Sequence, residues 1–151
     1  MKRDAVTVER VVGVDPARAF AAFTDEIDGW WRQGSRFRWL TRGGTMAFEG
    51  GQLIERADED AFVVGAILAW EPPHRLVFEW RAPTFVGDEV TEVEIRFVAE
   101  GERTRVLLAH RGWSRIRRDH PARGGTKETP AFQGLFGLYW ADLLGAFARS
   151  L

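Results

Sequence analysis

Gly65-Ala66-Ile67-Leu68-Ala69-Trp70-Glu71-Pro72-Pro73-His74-Arg75-Leu76-Val77-Phe78-Glu79-Trp80 sets two apolar, aromatic-rich runs on either side of a proline pair. Leu76, Phe78 and Trp80 alternate with Val77 and Glu79, so they share one face of a strand. Pro72 and Pro73 lack the amide hydrogens a ladder needs, and they end the run before them. Two antiparallel strands joined by a tight turn follow, with large side chains pointing together at something apolar. Such side chains either fill a core or line a space within it.

The flanking sequence extends the pattern. Val6, Val8, Val12 and Val14 predict a first strand over 5–14. Asp15-Pro16 then opens a helix, because Asp15 can cap free amides and Pro16 suits the first helical position. A second short helix is expected over 27–31. Strands are predicted over 37–40, 45–49, 52–56, 62–70, 75–81, 90–99 and 104–111, with Gly43-Gly44 and Gly50-Gly51 as turns. The period then changes. Phe132, Leu135, Phe136, Tyr139, Leu143 and Phe147 recur at helical spacing over 130–150, and Leu138, Trp140 and Leu144 widen the stripe. Residues 120–129, broken by Pro121, Gly124 and Gly125, are expected to be the least structured. The order predicts an α+β fold in which a curved antiparallel sheet wraps around a long C-terminal helix, with two short helices after the first strand. The even-numbered residues 76–80 are expected to pack against that helix.

Composition narrows the function. With 151 residues, 45% of them hydrophobic, the chain suits one compact domain over 1–151. A net charge of -1 provides no field to gather nucleic acid or an anionic membrane. The absence of cysteine removes thiolate catalysis, disulfides and Cys-based metal sites. The N-terminal residues carry no apolar signal core and no run is long enough to span a bilayer, so a cytoplasmic protein is expected. Monomer and homodimer both stay open.

The Gly65–Trp80 run, Val14-Asp15-Pro16-Ala17-Arg18-Ala19-Phe20 and Thr104-Arg105-Val106-Leu107-Leu108-Ala109-His110-Arg111-Gly112-Trp113 together resemble the SRPBCC (START-like, helix-grip) superfamily. Within it, the chain is most similar to single-domain proteins related to the C-terminal domain of the activator of heat-shock protein 90 ATPase. The resemblance implies a helix-grip fold with a cavity between sheet and long helix, in which many relatives hold small apolar ligands. It also implies a possible chaperone contact, and some relatives catalyse cyclisation or hydrolysis. Trp70, Phe78, Trp80, Phe136, Tyr139 and Leu143 are the candidate lining, with Trp31 and Phe37 near the mouth and Trp113 after the last strand.

No catalytic residue is assigned. His74, His110 and His120 lack metal-ligand spacing, and no metal or cofactor is expected. His110 alone falls in phase with Val106 and Leu108, either as a satisfied core histidine or as an acid or base with Glu79, Glu94 or Tyr139. Glu79 and Glu94 are out of phase with the inward faces and are expected in solvent. Arg32, Arg36, Arg38 and Arg42 around Trp30, Trp31, Phe37 and Trp39 have the composition of a single-strand clamp, but they also suit a half-buried strand, the reading preferred here. Arg111, Arg115, Arg117, Arg118 and Arg123 are expected to be solvated, or to meet a ligand carboxylate at the cavity entrance. The first reading is a binder of a small apolar or aromatic molecule. A chaperone-associated interaction domain and a cavity enzyme are the alternatives.

Overall fold

The computed structural model describes residues 5–40, 44–116 and 129–151. Seven antiparallel strands, β1 (Ala5–Val12), β2 (Thr45–Glu49), β3 (Gln52–Ala57), β4 (Asp60–Glu71), β5 (Arg75–Trp80), β6 (Thr91–Glu100) and β7 (Arg103–Arg111), form one sheet in the order β1-β7-β6-β5-β4-β3-β2. Strands β2 to β7 are a meander, and β1 joins its far edge by pairing with β7 from Ala5 opposite Arg111 to Val12 opposite Thr104. Helices α1 (Pro16–Asp25) and α2 (Ile27–Trp30) follow β1, and α3 (Thr129–Ser150) closes the chain.

Local chemistry explains these limits. The Asp15 carboxylate accepts the Arg18 amide at 2.8 Å and Pro16 stands at the first helical position, which together start α1. Gly50 and Gly51 both adopt positive φ, 62° and 78°, the pairing a two-residue turn between β2 and β3 demands. The sheet bends where β4 passes between its neighbours, with register shifts toward β3 and toward β5. Gly65 lies at that bend. A Cβ there would stand 1.8 Å from the Glu79 carbonyl oxygen, so the bend depends on glycine.

The concave face holds the core. Leu76, Phe78, Trp80, Val93, Ile95, Phe97, Val106 and Leu108 are buried on it. Phe136, Tyr139, Trp140, Leu143, Leu144 and Phe147 of α3 are buried too, and Phe147 packs with its ring centroid 5.3 Å from that of Phe23 and 5.2 Å from that of Trp30. Of the even-numbered β5 residues, Trp80 meets the helix directly, 5.7 Å from Phe136 and 6.4 Å from Tyr139. Phe78 instead packs on Phe48 of β2 at 5.5 Å.

Two expectations are corrected. Residues 37–40 are not a strand: Phe37 and Arg38 donate their amides back to the Gly34 carbonyl, and the amides of Trp39 and Leu40 go to the Glu55 carboxylate at 3.0 and 2.8 Å. With those donors used, no ladder forms. Leu138 does not widen the buried stripe. It is 69% exposed, turned away from the face that buries Tyr139 and Leu143. The side chains of Phe132 and Leu135 are not among those described, and Arg42, Gly43, Arg117, Arg118, His120, Arg123 and the stretch to residue 128 lie outside the described residues.

Candidate functional site

The inner ends of β5, β6 and β7 meet the middle of α3 in a cluster of rings. His110, in the inward phase of β7 beside Leu108, is fully buried. Around it lie Trp113 at 4.5 Å, Trp80 at 4.9 Å, and Phe136 and Trp140 each at 5.8 Å between ring centroids. A 3-10 turn over Trp113–Arg115, entered through Gly112 at φ 98°, folds the Trp113 indole back so that its Nε1 donates to the His110 carbonyl at 3.2 Å.

The hydrogen bonds fix the state of the imidazole. Trp140 Nε1 is 2.9 Å from His110 Nδ1, and an indole can only donate, so Nδ1 is an acceptor. Nε2 therefore carries the proton and donates to Thr91 Oγ1 at 2.7 Å, while Thr91 passes its own hydrogen to the Trp80 carbonyl at 2.9 Å. Burial alone pushes the His110 pKa well below its ordinary value. Neutral, and with both nitrogens engaged, His110 has no free proton or lone pair to offer a substrate. It is the satisfied core histidine of the two sequence readings, and it braces three tryptophans.

Tyr139 is different. Its ring packs against Phe37 at 5.1 Å, Phe136 and Trp140 at 5.4 Å, and Trp80 at 6.4 Å. Its hydroxyl is buried and has no hydrogen-bond partner among the described residues. Desolvation raises the phenol's pKa well above its ordinary value, so it stays protonated and able to donate at neutral pH. A buried hydroxyl without a partner costs about 1–3 kcal/mol, and a fold seldom leaves one without reason.

The loop after α2 covers this cluster. Trp31 packs edge-on against Trp140 at 5.7 Å and donates its Nε1 to the Phe37 carbonyl at 3.0 Å. Arg38 is buried and fully engaged, donating to Asp28 Oδ1 at 2.8 Å and to the carbonyls of Asp28, Trp31, Arg32 and Gly44. It belongs to the loop's framework and to no nucleic-acid clamp. Arg32 and Arg36 both reach Asp142 on α3, at 3.3 and 2.7 Å.

Eight sequence candidates, Trp31, Phe37, Trp80, His110, Trp113, Phe136, Tyr139 and, deeper along α3, Leu143, thus share one region. Phe78 is buried behind them on Phe48. Trp70 stands apart: it pairs with Leu76 at the far end of β5, about 13 Å along the strand from Trp80, is 44% exposed, and leans on Phe20 at 5.4 Å and Phe48 at 5.8 Å. Trp39, which the sequence reading placed on a strand away from this cluster, reaches Trp80 at 6.1 Å, and Phe85, in a loop with no periodicity to place it, was missed and reaches Trp80 at 5.8 Å. It also missed Thr91 and Glu55, for which the sequence offers no signal.

Glu94 corrects a further expectation. It is on the outer face as its phase requires, yet it is not in solvent, because Arg75, Arg96 and Arg111 close over it at 2.6, 2.9 and 2.8 Å. Desolvation pushes its pKa up, but hydrogen bonds from Arg75 and Arg111 prevail and hold the carboxyl below its usual range. Arg111 is thereby committed, to Glu94 and at 2.9 Å to Glu92, away from the ring cluster. Among the described residues, no three His, Asp or Glu side chains converge as a metal site, and no helix is long and apolar enough to cross a membrane.

A curved sheet closed by a long helix, with aromatic rings gathered between them, is the helix-grip architecture of the SRPBCC superfamily. Residues 14–133 match the family of Activator of Hsp90 ATPase homolog 1-like proteins, and the chain belongs to that family. Among solved structures, the chain is similar to Txn09, an anthrahydroquino-gamma-pyrone synthase complexed with SUM, with 29% identity, TM-score 0.60 and 100% of both chains covered. It is also similar to the Aha1 dimer from Colwellia psychrerythraea, at 14% identity and TM-score 0.62, covering 97% of this chain and 95% of that one. An HSP90 activator from Plasmodium falciparum shares the fold at 16% identity and TM-score 0.55, with 93% and 91% covered. No curated protein matches the chain.

Proposed function

We propose that the protein binds a small, flat, aromatic or apolar molecule between β5–β7 and α3, and that the Tyr139 hydroxyl donates a hydrogen bond to an oxygen of that molecule. The observation that carries this reading is the buried Tyr139 Oη, which has no partner among the described residues and lies among Phe37, Trp80 and Phe136. A ligand carbonyl or ether oxygen beside it would satisfy the hydroxyl, and the rings would supply stacking and edge contacts.

A second reading, a cavity enzyme, gains support from the relative that is 29% identical over the full length of both chains and is named a pyrone synthase. In that reading Tyr139 would polarise a carbonyl, since His110 is fully engaged in the core. The chaperone-associated alternative has the family name and two relatives behind it, but no geometry of this site speaks for it.

Tryptophan emission separates these readings when the protein is titrated with aromatic acids, flavonoids and fatty acids while each ligand's mass is followed for hours. Saturable quenching with unchanged mass is the expected result. A changed mass would promote the enzyme reading, and absence of quenching by every compound would contradict both.

A further inference from the structure

On the other side of α3, a groove of 450 Å³ runs between the helix, β1 and the loop after α2, lined by Arg10, Arg36, Leu138, Ala141, Asp142, Gly145 and Arg149. Arg10 occupies an even position of β1, the phase in which Val6 and Val12 are buried. Arg10 is itself exposed, and its guanidinium lies over Gly145. The guanidinium nitrogens of Arg149 and Arg10 lie 3.3 and 3.7 Å from the point where a Cβ of Gly145 would stand. Two guanidiniums from different elements thus converge on a notch left by a missing side chain.

Among the described residues neither Arg10 nor Arg149 has a carboxylate partner, whereas Asp142, the acid of the groove, is already shared by Arg32 and Arg36. We propose that Arg10 and Arg149, with Leu138 and Ala141 beside them, hold the dianionic head of a phosphate monoester whose body is apolar. A phosphate offers each guanidinium its own oxygens and carries the charge that balances both, which a single carboxylate does not. Leu138 lies two turns from Gly145 on the same side of α3, about 10 Å away, where it would meet the apolar body.

The test is calorimetric titration of the protein with inorganic phosphate and with hexyl phosphate, together with sedimentation on phosphatidylcholine vesicles with and without phosphatidic acid. Hexyl phosphate should bind more tightly than inorganic phosphate, and Arg10→Ala and Arg149→Ala should each weaken it by about tenfold. Gly145→Ala keeps both charges but puts a methyl in the notch. It should weaken binding while the protein unfolds at the same or higher temperature, since alanine favours the helix. Sedimentation only with phosphatidic acid would identify a lipid as the source of the phosphate, and hexyl phosphate binding without sedimentation would identify a soluble ester. Affinity for hexyl phosphate that is weaker than about 1 mM, or that is unchanged in Gly145→Ala, Arg10→Ala or Arg149→Ala, would overturn the proposal.

Discussion

The Trp140 indole and the His110 imidazole hold each other in one state: Nε1–H donates to Nδ1 at 2.9 Å, which is possible only while that nitrogen carries no proton. The folded protein therefore disfavours the imidazolium, and the unfolded chain does not. The groups packed around the ring are Trp80, Trp113, Phe136, Trp140 and Thr91, none of which can compensate a positive charge.

Linkage gives the sign. Because burial depresses the folded pKa of His110, its contribution is fully present above the unfolded value near 6.5 and is lost as pH falls below it. Stability should drop by about 1.4 kcal/mol for each pH unit below roughly 6.5, until the folded value is reached. Carboxylates held low by arginines, such as Glu94, act in the same direction but only at lower pH, toward and below their ordinary 4.5. Urea midpoints measured from pH 7.5 to 5.5 check this, and a His110→Gln protein should lose the slope in that window. A wild-type midpoint flat across it would refute the assignment.

The loop framework makes a second prediction. Asp28→Ala would strand the buried Arg38 guanidinium and release the Met46 amide, which the same carboxylate oxygen accepts at 2.9 Å. We expect a loss of about 2 to 4 kcal/mol, the lower part of the range for a buried pair because Asp28 is itself partly exposed. Arg18→Ala removes an exposed pair with Glu26 and should leave the denaturation midpoint where it is.

Glycine substitutions test the curl of the sheet. At Gly65 a methyl would meet the Glu79 carbonyl, and neither strand can yield without losing register, so Gly65→Ala should cost about 3 kcal/mol or more. At Gly137, in α3, a Cβ meets nothing within 4 Å. Gly137→Ala should stabilise the protein by up to about 1 kcal/mol through helix propensity alone. Thermal unfolding of the two variants side by side decides the matter.

Most of the architecture was legible because it rests on period. Leu76, Phe78 and Trp80 on one face, Asp15-Pro16 at a helix start and the α3 stripe from Phe136 to Phe147 are local patterns that burial then confirmed. The errors arise where a distant partner intervenes. Residues 37–40 alternate like a strand, but Gly34 takes the amides of Phe37 and Arg38, and Glu55, fifteen residues from Leu40, takes those of Trp39 and Leu40. Glu94 has the phase of a solvated residue, but three arginines from β5, β6 and β7 cover it. Trp70 reads as an inward partner of Trp80, but it pairs with Leu76 at the far end of β5 and stands half in solvent. His110 and Tyr139 were both visible as candidates. What distinguishes them, that one is fully hydrogen-bonded and the other is not, belongs to three-dimensional contacts alone.

The central claim is that the Tyr139 hydroxyl is kept for a ligand. Tyr139→Phe removes that one oxygen and leaves the ring, so the most direct measurement pairs thermal unfolding of this variant with its affinity for the compound that best quenches the wild-type tryptophans. Unfolding temperature should be equal or higher, because an unsatisfied buried hydroxyl is removed, while affinity should fall by about tenfold, the worth of one buried hydrogen bond. Unchanged affinity, or a marked loss of stability without ligand, would contradict the account.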